Sequence, residues 1–456
     1  MSKRPHIIYI MSDEHRGQAM SHTGDPNLST PALDRLAREG VSFEQAYANC
    51  PVCTPSRGTI FSGRHAHSGP VSSFYDAYTA AAPSTATILK EYGYRTAYFG
   101  KWHCGIVKSE NPSHLVDIPN RGGYNRTPER HRAGFDDWYA YECINEHFAT
   151  YYYKNREITP RPLEGYSSDA LTDLVVEYLQ NYDGEEPLFL VVSYNPPHFP
   201  FEVPEKWKRF NEYELDVRPN FSEKPIMRER LALYYAMIEN LDWNIGRIED
   251  TVQQTPAFKD NTLSVYFSDH GEFIGSHGWE GRKELPHEES VRIPAVFHWP
   301  QQIPARGNIN GMFSLVDLLP TTLGLLNIPT PSYCQGYDYT EHLVNGDDPE
   351  RPSEVLLEMC GNPRHSLDFY DWRAVLTQKW KYTFYETGAE ELFDLEEDPY
   401  ELENCADTYP EVRQEMKNLL LEKLRETREP FFDVIMQYGV KPEWPDIDVR
   451  KVSATD

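Results

Sequence analysis

Short apolar runs that end abruptly in clusters of ionisable residues constrain this chain more than any other feature. His6–Met11 runs into Ser12-Asp13-Glu14, Tyr94–Phe99 into Gly100-Lys101-Trp102-His103, Pro187–Tyr194 into Asn195-Pro196-Pro197-His198, and Leu263–Phe267 into Ser268-Asp269-His270-Gly271. Such runs, bounded by turn residues, read as buried strands, as does Val41–Ala48. Helical patterns lie between them: Thr30-Pro31 to Arg38 with Gly40 as the stop, Ser84 to about Gly93, Ser168–Tyr182, and a long helix from Ile226 to about Thr255. Strands separated by helices predict an α/β fold with a mostly parallel sheet flanked by helices. In such folds the loops after the carboxyl ends of the strands converge on one crevice, so the ionisable clusters are expected to meet there.

After the predicted helix Leu315–Leu326, Pro329, Pro331, Gly336 and Asn345-Gly346-Asp347-Asp348-Pro349 form a loop-rich stretch. It divides a catalytic domain, 1–345, from a smaller C-terminal α+β subdomain, 346–456, with strands at Arg373–Leu376 and Lys381–Tyr385 and a helix from about Pro410 to Thr427. Charge excludes one class of partner: 71 Asp+Glu against 44 Lys+Arg leave a net −27, which repels a nucleic-acid backbone. No apolar run approaches the roughly 20 residues of a membrane helix, so no membrane partner is expected. Lys3-Arg4 precede an apolar stretch, but Asp13 to Arg16 interrupt it before a small-residue cleavage site, and the seven cysteines are odd in number and scattered. A cytoplasmic location is the expectation.

The segment Cys53-Thr54-Pro55-Ser56-Arg57-Gly58-Thr59-Ile60-Phe61-Ser62-Gly63-Arg64 carries the most chemistry. Thr54 as N-cap and Pro55 at the first helical position place a helix start beside Cys53, with its unpaired N–H groups and positive dipole end. From Gln45 to Tyr75 there is no acidic residue, where chance gives about five, while Arg57, Arg64, His65 and His67 lie inside it. A local positive pocket in an acidic chain suits an anionic ligand. Two other readings share these residues: Cys50-Pro-Val-Cys53 spells the C-x-x-C of a thiol redox protein, and Cys50, Cys53, His103 and Cys104 are zinc-ligand types without paired spacing.

Cys53-Thr54-Pro55-Ser56-Arg57 resembles the signature of the type I, formylglycine-dependent sulfatases of the alkaline phosphatase superfamily, and the resemblance continues in order through Ser12-Asp13, Gly100-Lys101-Trp102-His103, Pro197-His198, Ser268-Asp269-His270-Gly271, Lys283 and Glu391-Leu392-Phe393-Asp394. It implies an alkaline-phosphatase-like mixed, mostly parallel sheet flanked by helices. It also implies that a maturation enzyme oxidises Cys53 to formylglycine, whose hydrated aldehyde is the nucleophile. Asp13, Glu14, Asp269 and His270, with position 53, are then expected to bind calcium, magnesium being the second candidate; hard oxygen ligands suit both. Glu14 stands where the family commonly has Asp or an amide. Lys101 and Lys283 would hold sulfate oxygens, and Arg57, one helical turn beyond Cys53, would reach the same oxygens. His103 would take a proton as sulfate is released and His198 would protonate the leaving alcohol, with His277 and His287 as substrate or outer contacts.

The expected reaction is hydrolysis of an organic sulfate, with a sulfated saccharide preferred over an aryl or steroid sulfate. Phosphonate monoester and phosphodiester hydrolysis is the alternative, because one fold serves several of these reactions. A catalytically silent metal-dependent sugar binder is a further class. The aromatic residues Phe74, Trp138, Tyr139 and Tyr151 to Tyr153 are candidates for stacking on a sugar.

Overall fold

The computed structural model describes residues 4–74, 76–105, 126–259, 261–279, 281–346, 348–360 and 370–438. Tyr75, of the acid-free stretch, Asp347, of the loop-rich stretch, and residues 439–456 of the C-terminal subdomain lie outside them. The strands of the larger sheet are β1 (His6–Asp13), β2 (Val41–Tyr47), β3 (Arg95–Lys101), β4 (Asp137–Tyr141), β5 (Tyr151–Lys154), β6 (Arg161–Pro162), β7 (Leu188–Pro197), β8 (Thr262–Ser268), β9 (Arg292–Ile293), β10 (Ala295–His298) and β11 (Gly307–Ser314). Their order is β11-β2-β10-β8-β1-β7-β3-β4-β5-β6, with β9 beside β2. The centre, from β8 to β4, is parallel throughout, and β10 enters antiparallel between β8 and β2.

The run His6–Met11 reads as continuously apolar because both faces of β1 are covered. Ile7, Tyr9 and Met11 join one core cluster, with Phe43, Phe61 and Trp102, while Ile8 and Ile10 join the other, with Leu33, Leu171 and Leu241. The helices involved are α1 (Pro31–Glu39), α2 (Cys53–Ser62), α3 (Thr85–Glu91), α4 (Ser167–Gln180) and α5 (Pro225–Gln254). Among the described residues, no helix is long and apolar enough to cross a membrane.

The helix starts show where local signals hold and where packing overrides them. Ser84 caps α3 as its sequence predicts, its hydroxyl accepting from Thr87 N at 3.1 Å. Thr30 does not cap α1; its hydroxyl turns to Ser21 and Asp34, and the free N–H groups of Ala32 and Leu33 instead donate to Asp242 of α5 at 3.1 and 2.8 Å. Thr54 is likewise not the cap of α2, which begins at Cys53 itself because Ser56 N already bonds Val52 O at 3.0 Å.

A second sheet, antiparallel, has the order β12 (Glu354–Met359), β13 (Trp372–Thr377), β14 (Trp380–Tyr385), β15 (Glu390–Asp394). One face packs on Met416, Leu420 and Leu424 of the helix Pro410–Thr427, and the other on Tyr47, Val52 and Val291 of the first unit. The expected aromatic rim is mostly interior: Trp138 is buried and stacks on Tyr98 with centroids 5.3 Å apart, and Tyr139 stacks on Phe99 at 4.3 Å.

Gly100 sits at φ +98°, and a Cβ there would lie 2.0 Å from the carbonyl oxygen of Ser193 in neighbouring β7. Gly100→Ala is therefore expected to strain the β3–β7 pairing, costing about 3 kcal/mol and lowering the melting temperature by roughly 3 °C in a thermal unfolding scan.

Candidate active site

Parallel register places the ends of β1 and β8 side by side: Ser12 pairs with Ser268, and Asp269 N donates to Ser12 O at 3.2 Å. Asp13 and Asp269 thus leave adjacent strands as neighbours, and both side chains are wholly buried. Arg57, from the second turn of α2, lies between them. Its Nη2 is 3.0 Å from Asp13 Oδ2 and 2.9 Å from Asp269 Oδ2, its Nε donates to Asp269 Oδ2 at 3.0 Å, and its Nη1 donates to Lys101 O at 2.7 Å and Ser193 Oγ at 2.9 Å. A guanidinium has five N–H donors, and four of them make hydrogen bonds within the chain, to Asp13, Asp269, Lys101 O and Ser193. Helical spacing gives Arg57 its reach toward the nucleophile, and its hydrogen bonds go to the two carboxylates, Lys101 O and Ser193.

With both Oδ2 atoms held by Arg57, both Oδ1 atoms face Cys53 and His270. Asp13 Oδ1 is 3.6 Å from Cys53 Sγ and 3.7 Å from His270 Nε2; Asp269 Oδ1 is 3.8 Å from His270 Nε2 and has no hydrogen-bond partner among the described residues. His270 Nε2 is 3.2 Å from Cys53 Sγ, while its Nδ1–H donates to Gly271 O at 2.9 Å, so the other ring nitrogen is turned to the cluster. One ligand atom from each of Asp13, Cys53, Asp269 and His270 falls within 4.8 Å of the others. Two converging carboxylate oxygens, one of them unpartnered in a buried position, fit a hard divalent cation. The electrostatics agree: burial alone would lower the His270 pKa, but Asp269 and Cys53 drive it up to about 10, the mark of a negative potential that favours a cation at this point. Burial, joined by Asp13, raises Asp269 to about 6. Burial works against an ionised Asp13 as well, but Lys101, His198, Arg57 and His270 hold it well below its ordinary value.

Glu14, at φ +68°, turns away from this four-residue group. It pairs with Lys283, lies 3.2 Å from His198 Nε2, and forms a second potential ligand group with Asp13 and His198. Burial alone would raise Glu14, but His198 and Lys283 bring it down to about 2. Lys283 Nζ is 3.4 Å from Cys53 Sγ and 3.4 Å from His198 Nε2. Lys101 Nζ lies 2.7 Å from Asp13 Oδ2 and 2.9 Å from Asn195 Oδ1. Burial and Asp13 push the Cys53 thiol up, yet Lys283, His270 and Lys101 outweigh them and leave it below its ordinary value.

His103 is buried at φ +55°, its Nδ1 without a partner among the described residues and its ring edge-on to Phe74 at 5.0 Å between centroids. Cys143, two residues beyond β4, lies beside it, and His103 and Lys101 hold its thiol below the ordinary value against burial. Ser193, Asn195 and Cys143 were not singled out as site residues from the sequence; the signal for Asn195 was its place at the head of a cluster after a strand. His277 and His287 lie elsewhere, with ring centroids 4.4 Å apart in a buried network with Asn220 and Glu289. The redox reading fails on Cys50, which is buried in an apolar cluster with Val355 and Leu357, where burial and Glu358 push its thiol well up. The zinc grouping of Cys50, Cys53, His103 and Cys104 is not among the ligand clusters of the described residues.

The family model described as Sulfatase matches residues 5–328, and one described as the C-terminal part of N-sulphoglucosamine sulphohydrolase matches residues 275–429. An ulvan-active sulfatase from Formosa agariphila is 33% identical over 94% of this chain and 82% of its own length. A solved Bacteroides thetaiotaomicron structure, reported with the metabolism of multiple glycosaminoglycans, is 26% identical with a TM-score of 0.85, covering 96% of this chain and 99% of that one. The phosphonate monoester hydrolase of Agrobacterium radiobacter shares the fold at a TM-score of 0.74 and 22% identity, covering 93% of this chain and 95% of its own.

The cluster generates a metal prediction. Calcium in excess over a chelated sample is expected to raise the melting temperature by several degrees, since saturating a site a hundredfold above its dissociation constant adds about 2.7 kcal/mol. Asp269→Asn should abolish most of that rise. Identical melting in chelator and in calcium removes the cation from this site.

Proposed function

The chain belongs to the sulfatase family and is a sulfuric ester hydrolase; from that premise we propose that it cleaves the sulfate ester of a sulfated saccharide with a formylglycine made from Cys53, beside calcium held by Asp13, Asp269 and His270 with Glu14 at its margin. The observation that carries this reading is the placing of Cys53 Sγ at the first residue of α2, 3.6 Å from Asp13 Oδ1, 3.2 Å from His270 Nε2 and 3.4 Å from Lys283 Nζ. The reaction is R–O–SO₃⁻ + H₂O → R–OH + HSO₄⁻. A separate maturation enzyme would oxidise the Cys53 side chain to an aldehyde, whose hydrate supplies the attacking hydroxyl. A divalent cation, when bound, supplies positive charge beside that hydroxyl and the sulfate oxygens.

The chain's own residues do the rest. Lys283, 3.4 Å from Cys53 Sγ, and Lys101, bound to Asp13, each donate to the oxygens of the bound sulfate, where charge grows as the ester bond breaks. Arg57 keeps the two aspartates oriented and touches no substrate. His198, whose Nε2 faces Glu14 and Lys283, hands a proton to the departing oxygen. His103, with a free ring nitrogen two residues beyond Lys101, takes the proton in the step that frees inorganic sulfate. The saccharide assignment is supported by the ulvan-active and glycosaminoglycan-associated relatives.

Peptide mass spectrometry of protein produced with a formylglycine-generating enzyme is expected to show residue 53 as an aldehyde, and Cys53→Ala to abolish turnover while Cys50→Ala retains most of it. Active protein with an intact Cys53 thiol sinks the nucleophile. Turnover on sulfated sugars, aryl sulfates and phosphonate esters tests the substrate class.

The two histidines are expected to separate by leaving group. His198→Ala should lose at least about 100-fold on a sugar sulfate, whose alkoxide leaves badly, and far less on nitrophenyl sulfate, whose anion leaves unaided. His103→Ala should give a burst of alcohol followed by slow sulfate release at a rate nearly independent of substrate. Equal losses across leaving groups for His198→Ala, or no burst for His103→Ala, contradict these roles.

A further inference from the structure

Asn195 is the residue of the strand-end clusters that the mechanism leaves without a task. It lies in β7, two residues beyond Ser193, and only 2% of it is exposed. The orientation of its amide follows from its partner. Lys101 Nζ carries only donors, so the atom 2.9 Å from it is the Asn195 oxygen, and the amide nitrogen points away from it. That nitrogen is buried and has no hydrogen-bond partner among the described residues. Buried amide N–H groups normally find an acceptor.

Lys101 presents the matching half of the pattern. Its ammonium has three donors, and two are taken, by Asp13 Oδ2 at 2.7 Å and by Asn195 Oδ1. One donor of Lys101 and the amide N–H groups of Asn195 are left over, within about 5 Å of one another given the size of a carboxamide. Both are buried and of donor type only. Oxygens of a tetrahedral anion are spaced to accept from two such neighbours, whereas an apolar group or a cation satisfies neither.

We infer that Asn195 is a substrate-binding residue of the sulfate site: its amide oxygen fixes Lys101 and its amide nitrogen donates to an oxygen of the bound sulfate group. The inference deepens the sulfatase mechanism and rests on it. The two contacts divide the work. The first stops Lys101, already drawn to Asp13, from collapsing wholly onto that carboxylate. The second adds a neutral donor to a site whose guanidinium is bound to the two aspartates, so the sulfate is oriented without a further cation that would strengthen competition from dianionic phosphate esters.

The test measures binding of inorganic sulfate to the matured, calcium-loaded enzyme by calorimetry, beside turnover of nitrophenyl sulfate. Asn195→Asp keeps an acceptor for Lys101 at nearly unchanged volume but replaces the donor with an oxygen, and it is expected to weaken sulfate binding at least about tenfold without weakening calcium binding. Asn195→Ala adds no charge and removes both contacts; it should also weaken sulfate binding about tenfold, and should lower kcat about 100-fold as Lys101 loses its brace. If the aspartate variant does not fold, sulfate affinity of the alanine variant decides alone. Wild-type sulfate affinity in a folded Asn195→Asp or Asn195→Ala protein overturns the donor role, and unchanged kcat in Asn195→Ala overturns the brace. A wild-type enzyme that binds sulfate but hydrolyses no sulfate ester refutes the mechanism and leaves the Asn195 comparison readable by calorimetry, whereas one that does not bind sulfate overturns both.

Discussion

Two carboxylates buried side by side are the constraint on which the molecule is organised. Removing an ion from water costs several kcal/mol, and Asp13 and Asp269 are both removed completely, next to one another, where like charges repel. Arg57 and Lys101 offset this by drawing α2 and β3 against the joint ends of β1 and β8. The remaining Arg57 donors reach Lys101 O and Ser193 Oγ, so one guanidinium ties five chain segments, β1, α2, β3, β7 and β8, at the crevice. The parallel centre of the sheet is the arrangement that delivers four strand ends to this point. The price of concentrating charge there is conformational strain at its rim, where Glu14 and His103 have positive φ.

The second sheet serves the same site from outside. Lys283 sits on the loop between β8 and β9, which has little regular structure to hold it. Trp372 of β13 donates its indole N–H to Glu284 O at 2.9 Å, one residue from Lys283. Lys381 of β14, wholly buried, pairs with Glu288 at 3.1 Å and with Glu401, and Asn220 donates to Tyr400 O at 3.1 Å. Buried pairs of this kind add little net stability but are costly to break, so they specify one docking of the second sheet and with it one position of the lysine loop. His277 and His287 take part in this fastening, His287 packing on Phe393 of β15 with centroids 5.8 Å apart.

What the sequence made legible was position along strands. Apolar runs that stop at Ser12, Gly100, Asn195 and Ser268 announced which residues would meet, because strand ends in a parallel sheet share an edge. Partner choice was less legible. Spacing showed that Arg57 lies one turn from Cys53, but not that its donors would go to two aspartates, Lys101 O and Ser193. Thr30 had the residue type of a cap, and Asp242, more than two hundred residues away, supplied the carboxylate instead. Trp138 and Tyr139 had the residue types of a sugar platform, but alternation along β4 took Trp138 inside and left Tyr139 half-buried, stacked on Phe99. In each case a long-range contact of favourable geometry displaced a local tendency worth about 1 kcal/mol.

The division between arginine and lysine at this site has a physical basis. A guanidinium is a planar fork with fixed donor directions, suited to locking two carboxylates at one relative angle, and it cannot release one without unbalancing the rest. An ammonium is a point charge with rotatable donors, and Lys101 can keep Asp13 and Asn195 while offering its remaining donor to an incoming oxygen. Lys283, paired with Glu14 and in reach of Cys53 and His198, is adaptable in the same way. The rigid cation therefore holds the two aspartates in place, and on the mechanism proposed above the adaptable ones face the group that arrives, changes charge and leaves.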